Sequence, residues 1–320
     1  MNVIIRADAS VAIGSGHVMR CLTIAKNLRK QGCQVSFWME PLKGNLIDFV
    51  ANEGFNNITS AQQANLYIID HYQLSKEWEQ AIRPYTKEIV VIDDLAREHD
   101  CDLLLDQNVI PQFATRYEGK VPAHCITLLG PKYLIMREEF LQQRQQLRQR
   151  DTNIHRLLVF MGGSDPTNET MKILQALESF SFVRIDIVVG NSNPMKEQIE
   201  QICRERNYYF HCQIDYMAQL MQLADFAIGA GGGTLWERCY VGLPSSSTII
   251  ADNQRETTTY ADSLGVTINL GWHEQVTIET YWQLLSDLKI DSMSSKGLEL
   301  TANQKPNAWL HEVLELIQLN

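Results

Sequence analysis

The feature that most restricts this chain is an alternation. Short β-branched apolar runs take turns with segments whose apolar residues recur at helical spacing, from one end of the sequence to the other. NVIIRAD, close to the N-terminus, is followed by a helix beginning near His17. In that helix Val18, Cys21, Leu22, Ala25 and Leu28 keep helical spacing until Gly32 ends it, and CQVSFWM resumes as a strand. LYIID (66–70), EIVVID (88–93) and CITLLG (125–130) are apolar nearly throughout, as strands buried on both faces of a parallel sheet must be. Such a chain has to be α/β, with helices covering a parallel sheet.

The alternation breaks once. Residues 137–155, REEFLQQRQQLRQRDTNIH, are Gln/Arg-rich and poor in large apolar side chains, which predicts a solvated helix and linker. It then restarts with HRLLVFMGG, a helix over about 167–179, the strands VRIDIVVG, YYFHCQ, DFAIGA, LPSSSTII and VTINL, and a last amphipathic segment, PNAWLHEVLELIQL. The expectation is two Rossmann-like, doubly wound domains facing each other across a cleft. The boundaries are 1–140, a linker 141–155, a second domain 156–300, and a C-terminal helix in 301–320 that packs back on the first domain. A length of 320 residues suits two cores better than one.

Composition removes several function classes. The net charge of −10 argues against nucleic acid or an anionic membrane surface as the main partner. No apolar run approaches the ~20 residues of a membrane helix, and the N-terminus enters a strand with no leader pattern. Seven cysteines, an odd number without a CxxC pair, read as reduced thiols of a cytoplasmic protein.

Three glycine-rich turns carry the chemistry. Gly14-Ser15-Gly16-His17 follows the first strand and opens the first helix. There glycines let a ligand approach the backbone, and the helix N-terminus favours a neutral imidazole able to accept a proton. The bland alternative is a tight turn with an incidental His. Gly229-Ala230-Gly231-Gly232-Gly233-Thr234-Leu235-Trp236-Glu237 also joins a strand to a helix. Its backbone and the Thr234 hydroxyl can wrap phosphate oxygens, and Glu237 can accept from a ribose diol. Thr234-x-x-Glu237 also fits a capping box, which explains Thr and Glu but not the glycine run. The third turn, Met161-Gly162-Gly163-Ser164-Asp165-Pro166-Thr167-Asn168, has Asp165 and Thr167 where turn and cap residues stand. Tyr72 and Asp93-Asp94 end strands on the ligand-binding edge. Tyr72 there is either a rim aromatic or a group that orients a hydroxyl or a water. Asp100-Cys101-Asp102 is a DxD triplet without further ligands, so no metal site is expected.

Together, GSGHVMR after the first strand and GAGGGTLWE late in the chain, with GPKYLIMREEF (130–140), LLVFMGGSDPTN (157–168) and ADNQ (251–254), resemble a known family. They resemble the UDP-sugar hydrolases of pseudaminic acid biosynthesis (PseG), relatives of the peptidoglycan glycosyltransferase MurG with the GT-B fold. The resemblance implies His17 as catalytic base, with Tyr72 and Asn253 beside it. It implies substrate or UDP contacts at Gly14, Ser15, Gly16, Gly163, Ile214, Gly231, Gly232, Gly233, Thr234, Glu237 and Gln254. Glu237 would hold ribose, and the Ile214–Met217 stretch resembles the turn whose backbone meets uracil. The implied reaction is hydrolysis of UDP-2,4-diacetamido-2,4,6-trideoxy-β-L-altropyranose to UDP and free sugar, without metal or cofactor. Two other readings share these motifs: a GT-B transferase using a UDP-sugar donor, and a non-catalytic nucleotide-sugar sensor with no use for His17.

Overall fold

A computed structural model describes residues 1–150, 153–302 and 307–318. The chain divides into two compact units, one of Met1–Met136 with Gln304–Asn320, the other of Arg137–Asn303.

Unit 1 runs β1 (Asn2–Ala7), α1 (Gly16–Lys30), β2 (Gln34–Trp38), α2 (Ile47–Asn52), β3 (Asn56–Ile58), β4 (Ala64–Asp70), α3 (Lys76–Ile82), β5 (Thr86–Ile92), β6 (Leu103–Asp106) and β7 (Ile126–Leu129). Its seven strands are all parallel, in the order β3-β2-β1-β4-β5-β6-β7. The five apolar positions read from the first helix are all buried, packing α1 on Val3 and Ile5 of β1. Of these, Val18, Leu22 and Leu28 each contribute roughly 1.5–3 kcal/mol of hydrophobic stabilisation. The helix stops where a glycine permits it. Gly32 takes φ +82°, and Cys33 N–H then reaches back to the Leu28 carbonyl (3.1 Å). The opposite face of the sheet buries Ile4, Tyr67, Ile69, Val91 and Tyr117.

Unit 2 begins with α4 (Glu138–Arg144). It continues with β8 (Arg156–Phe160), α5 (Glu169–Ala176), β9 (Arg184–Val189), α6 (Lys196–Glu205), β10 (Tyr209–Cys212), α7 (Met217–Leu223) and β11 (Phe226–Ala230). Then come α8 (Thr234–Tyr240), β12 (Ser245–Ile249), α9 (Arg255–Ser263), β13 (Ile268–Trp272), α10 (Ile278–Ser286) and α11 (Met293–Leu300). The six strands are parallel in the order β10-β9-β8-β11-β12-β13. The last helix, α12 (Ala308–Gln318), belongs to unit 1, where Trp309 and Val313 share a core with Val18 and Leu22.

Two expectations change. The Gln/Arg-rich stretch carries the helix α4 and exposes Gln142, Gln145, Gln146 and Gln149, but three of its arginines are not free in solvent. After α4, its arginines bind backbone carbonyls of unit 2: Arg144 that of Tyr240, Arg148 that of Gln222, and Arg150 those of Met221 and Val241. Guanidinium forks satisfy the open carbonyls at ends of helices, so a polar sequence here ties structure together. The second change is the pair of short strands β3 and β6, which the alternation does not single out. NNI is polar, and LLLD is four residues long. Among the described residues no helix is long and apolar enough to cross a membrane.

Candidate functional site

In unit 1 the strand order reverses between β1 and β4, where connections diverge and ligands bind at carboxyl ends of strands. His17, the second residue of α1, and Asp70, the last of β4, meet at this point. His17 Nδ1 lies 2.6 Å from Asp70 Oδ1. Arg20, one turn further along α1, donates from Nε (2.8 Å) and Nη2 (2.7 Å) to the two oxygens of the same carboxylate. Burial alone would raise the Asp70 pKa, but the charges and hydrogen bonds of Arg20 and His17 outweigh it and hold the carboxyl well below its usual range. An ionised carboxylate only accepts, so Nδ1 carries a proton, and in the neutral ring the lone pair is then on Nε2. No group among the described residues hydrogen-bonds that Nε2. The neighbouring His71 differs, with Nε2 on Asp8 (2.9 Å) and Nδ1 accepting from Gln73 N–H (3.0 Å).

Tyr72 packs its ring edge-on against His17, with centroids 4.5 Å apart at 85°, and donates its hydroxyl to Asp94 Oδ2 (2.9 Å). Burial and the Asp94 charge push the phenol pKa up, so it stays protonated. Asp94 Oδ1 is buried without a hydrogen-bond partner. Gly14, at φ +82°, closes a turn by donating to the Ser10 carbonyl (2.8 Å), which commits its N–H. Ser15 precedes α1 without a side-chain cap bond, and Gly16 is the first residue of α1.

In unit 2 the corresponding reversal lies between β8 and β11, and both remaining glycine turns leave from these strands. A Cβ on Gly231 would lie 2.0 Å from Thr258 Oγ1, so no larger residue fits. Gly231 N–H is taken by the Thr248 carbonyl (3.1 Å), which leaves the loop's offer to a ligand with Gly232, Gly233 and Thr234. Gln254 accepts from Ile250 N–H through Oε1 (3.0 Å), and its Nε2 would be 3.4 Å from a Cβ on Gly232. Asn253 is half-buried on the same short turn after β12. Gly163 accepts from Gly190 N–H (2.9 Å), where the two backbones are too close for a side chain.

Glu237 is not a cap. Gly233 caps α8 without a side-chain bond, and both Glu237 oxygens accept from Arg137, through Nε and Nη2 at 3.0 Å each. Arg137 also pairs with Glu139 (2.8 Å), whose second oxygen accepts from Ala218 N–H (2.9 Å). Ala218 directly follows the Ile214–Met217 stretch, so one charged chain joins the candidate ribose carboxylate to the candidate base turn. Asp165 is structural. Its carboxylate accepts from Glu169 N–H (3.0 Å) and Thr170 N–H (2.8 Å) in the first turn of α5. The DxD triplet is structural too, since Arg83 binds both Asp100 (3.2 Å) and Asp102 (2.5 Å). Among the described residues no three His, Cys, Asp or Glu side chains group as a metal site.

No protein-family model matches the chain. It is 29% identical over 277 residues to the UDP-2,4-diacetamido-2,4,6-trideoxy-beta-L-altropyranose hydrolase of Campylobacter jejuni, covering 83% of this chain and 97% of that protein. The chain is similar to the UDP-sugar hydrolases of pseudaminic acid biosynthesis. A second relative is the Helicobacter pylori "Pseudaminic acid cytidylyltransferase and UDP-2,4-diacetamido-2,4,6-trideoxy-beta-L-altropyranose hydrolase", at 25% identity over 99% of this chain and 56% of that longer protein. Among solved structures, MurG of Acinetobacter baumannii superposes with a TM-score of 0.63 over 100% of this chain and 99% of its own, at 16% identity. The fold is therefore GT-B, as the two parallel sheets indicate.

Two partners of His17 in unit 1, Asp70 and Arg20, and one partner of Glu237 in unit 2, Arg137, are not singled out by the sequence as site residues. Asp70 and Arg20 leave a faint signal. An i, i+3 pair puts Arg20 on the His17 face of α1, and Asp70 ends a strand on the ligand-binding edge. Arg137 leaves none, because its partner Glu237 is 100 residues away.

Proposed function

We propose that the protein hydrolyses a UDP-linked amino sugar to UDP and free sugar; its Campylobacter jejuni relative is named as a hydrolase of such a UDP-sugar. The observation that carries the reading is the Asp70-bound His17, whose Nδ1 is fixed and whose Nε2 is left to accept a proton. A base oriented by a third group is the arrangement that activates a nucleophile. In this reading Nε2 takes a proton from water. The water oxygen bonds to the anomeric carbon as the bond from that carbon to the glycosidic oxygen breaks. UDP leaves with that oxygen, and configuration inverts. Tyr72 and Asn253 orient the water and sugar. Unit 2 supplies the nucleotide handle: diphosphate on Gly231–Thr234 with Gly163 and Gln254, ribose on Glu237, and uracil at Ile214. The altropyranose of the relative is the first substrate to try.

The test is incubation with a panel of UDP-sugars and no acceptor, following UDP release. Release from the altropyranose donor supports the hydrolase. Binding without turnover would leave a sensor, and turnover only with an added acceptor a transferase. In the same assay His17→Ala should lower the rate roughly 10²–10⁴-fold, the usual share of general-base catalysis, with UDP affinity little changed.

A further inference from the structure

One buried cation in unit 2 has no carboxylate within ion-pair distance among the described residues, and Glu237 acts on it only from further away. Arg238, in α8, is 1% exposed, and each of its hydrogen-bond partners is neutral: Ser245 Oγ (2.9 Å), Thr234 Oγ1 (3.2 Å), the Ala230 carbonyl (3.0 Å) and Ser247 Oγ (2.9 Å). No carboxylate among the described residues forms an ion pair with it. Side chains of this kind are rarely buried without a counter-charge, because desolvating a charge is expensive and neutral dipoles repay only part of the cost. Burial draws the guanidinium pKa down to about 10, and at neutral pH it is still charged.

Its position tells what could compensate it. A Cβ on Gly229 would lie 2.4 Å from Arg238 Nη1, so the guanidinium rests directly against the backbone that leads into the glycine loop. It binds both Ala230 and Thr234, the residues that bracket Gly231–Gly233. Thr258 Oγ1, buried and without a hydrogen-bond partner, abuts the same loop. The glycines are thus needed twice, for the room Arg238 and Thr258 take beneath the loop and for access from outside.

We propose that Arg238 is the buried counter-charge of the diphosphate, acting through the glycine loop without touching the ligand. This rests on the UDP reading above. It makes Arg238 a positioning residue: it polarises the loop, strengthens its hold on negative oxygen, and favours the departing UDP, which carries more charge than the bound sugar ester. A field of this kind is preorganised and costs no rearrangement during the reaction.

The effect should scale with ligand charge, which a purely structural arginine would not do. Uridine, UMP and UDP are titrated by calorimetry into the wild type, Arg238→Gln and Arg238→Lys. In the Gln variant uridine affinity should stay within about twofold while UDP affinity falls at least tenfold, with UMP between, a loss of about 1.4 kcal/mol for UDP by the tenfold conversion. The Lys variant should recover most of the UDP loss. Ser247→Asp tests the same point with Arg238 in place and covers a Gln variant that does not fold, since a carboxylate beside the guanidinium should flatten the ladder equally. Equal weakening of all three ligands in the Gln variant, or an unchanged ladder in Ser247→Asp, would overturn the proposal. A wild type that binds UDP no better than uridine removes the diphosphate reading, and the role of Arg238 with it.

Discussion

Asp70 meets His17 at Nδ1 alone, whereas a carboxylate meets His71 at Nε2 and two carboxylates meet His99, one at each ring nitrogen. Asp70 is fully buried, stays ionised beside Arg20, and so dictates which ring nitrogen of His17 bears the proton. Asp70→Asn keeps the shape and removes that dictation, because an amide can also donate to Nδ1 and stabilise the tautomer with its proton on Nε2. The expected outcome is a kcat lower by about 10²–10⁴-fold, with UDP affinity held, since the nucleotide contacts proposed here lie in unit 2. Steady-state kinetics and UDP titration of the variant decide it. Near-normal kcat would show that Asp70 only anchors Arg20 and the end of β4.

At the scale of elements, the segment between β5 and β6 is pinned by His99, buried between Glu79 of α3 (Nδ1 to Oε1, 2.7 Å) and Asp93 (Nε2 to Oδ2, 3.5 Å). Burial works against its charge, but the nearby carboxylates of Asp93 and Glu79 prevail and raise its pKa to about 9. A histidine whose folded pKa exceeds its unfolded value of about 6.5 stabilises the fold fully below that unfolded value. The contribution then fades as pH rises toward about 9. Asp106, pushed up to about 7 mainly by burial, acts in the same direction over a lower window, its contribution fading between about pH 4 and 7. The melting temperature should therefore fall between about pH 6.5 and 9. His99→Gln should flatten that slope and cost about 1–3 kcal/mol near pH 6. A slope identical in the variant and the wild type would show that His99 is not its source.

For the whole molecule, the proposed chemistry sets which bond breaks and what assists it. The loops offer backbone N–H groups, a threonine hydroxyl and an amide side chain to the departing diphosphate, which are groups that stabilise anionic oxygen without a cation. Dialysis against a chelator should leave the rate of UDP release intact. A rate lost on chelation and restored by Mg²⁺ or Mn²⁺ would refute this. In ¹⁸O-labelled water, analysed before the free sugar exchanges its anomeric oxygen, the label should enter the sugar. Label on the β-phosphate of UDP would move the attack to phosphorus and take His17 out of its proposed role.

Much of this architecture is local information and could be read from the sequence. Apolar period and glycine breaks announce strands and helices, because a strand buried on both faces has no room for polar residues and α1 cannot bury its stripe at any other spacing. The long strands, α1 and α12 follow from that, as do the glycine turns after β1, β8 and β11. The short strands β3 and β6 do not, since three or four residues carry too little pattern against their neighbours. Partnerships are not local at all. His17 meets Asp70 across 53 residues and Glu237 meets Arg137 across 100, and both follow from which elements the fold makes neighbours. The arginines of 144–150 look like a solvated tract until the carbonyls that need them come into view. In the same way, Arg238 reads as an ordinary charge within a helix, and only the tertiary structure shows it buried beneath the glycine loop with neutral hydrogen-bond partners. The sequence therefore set the fold class and the glycine turns at the strand ends, while the tertiary structure decided which charges face one another, because pairing depends on distance in space and not on distance along the chain.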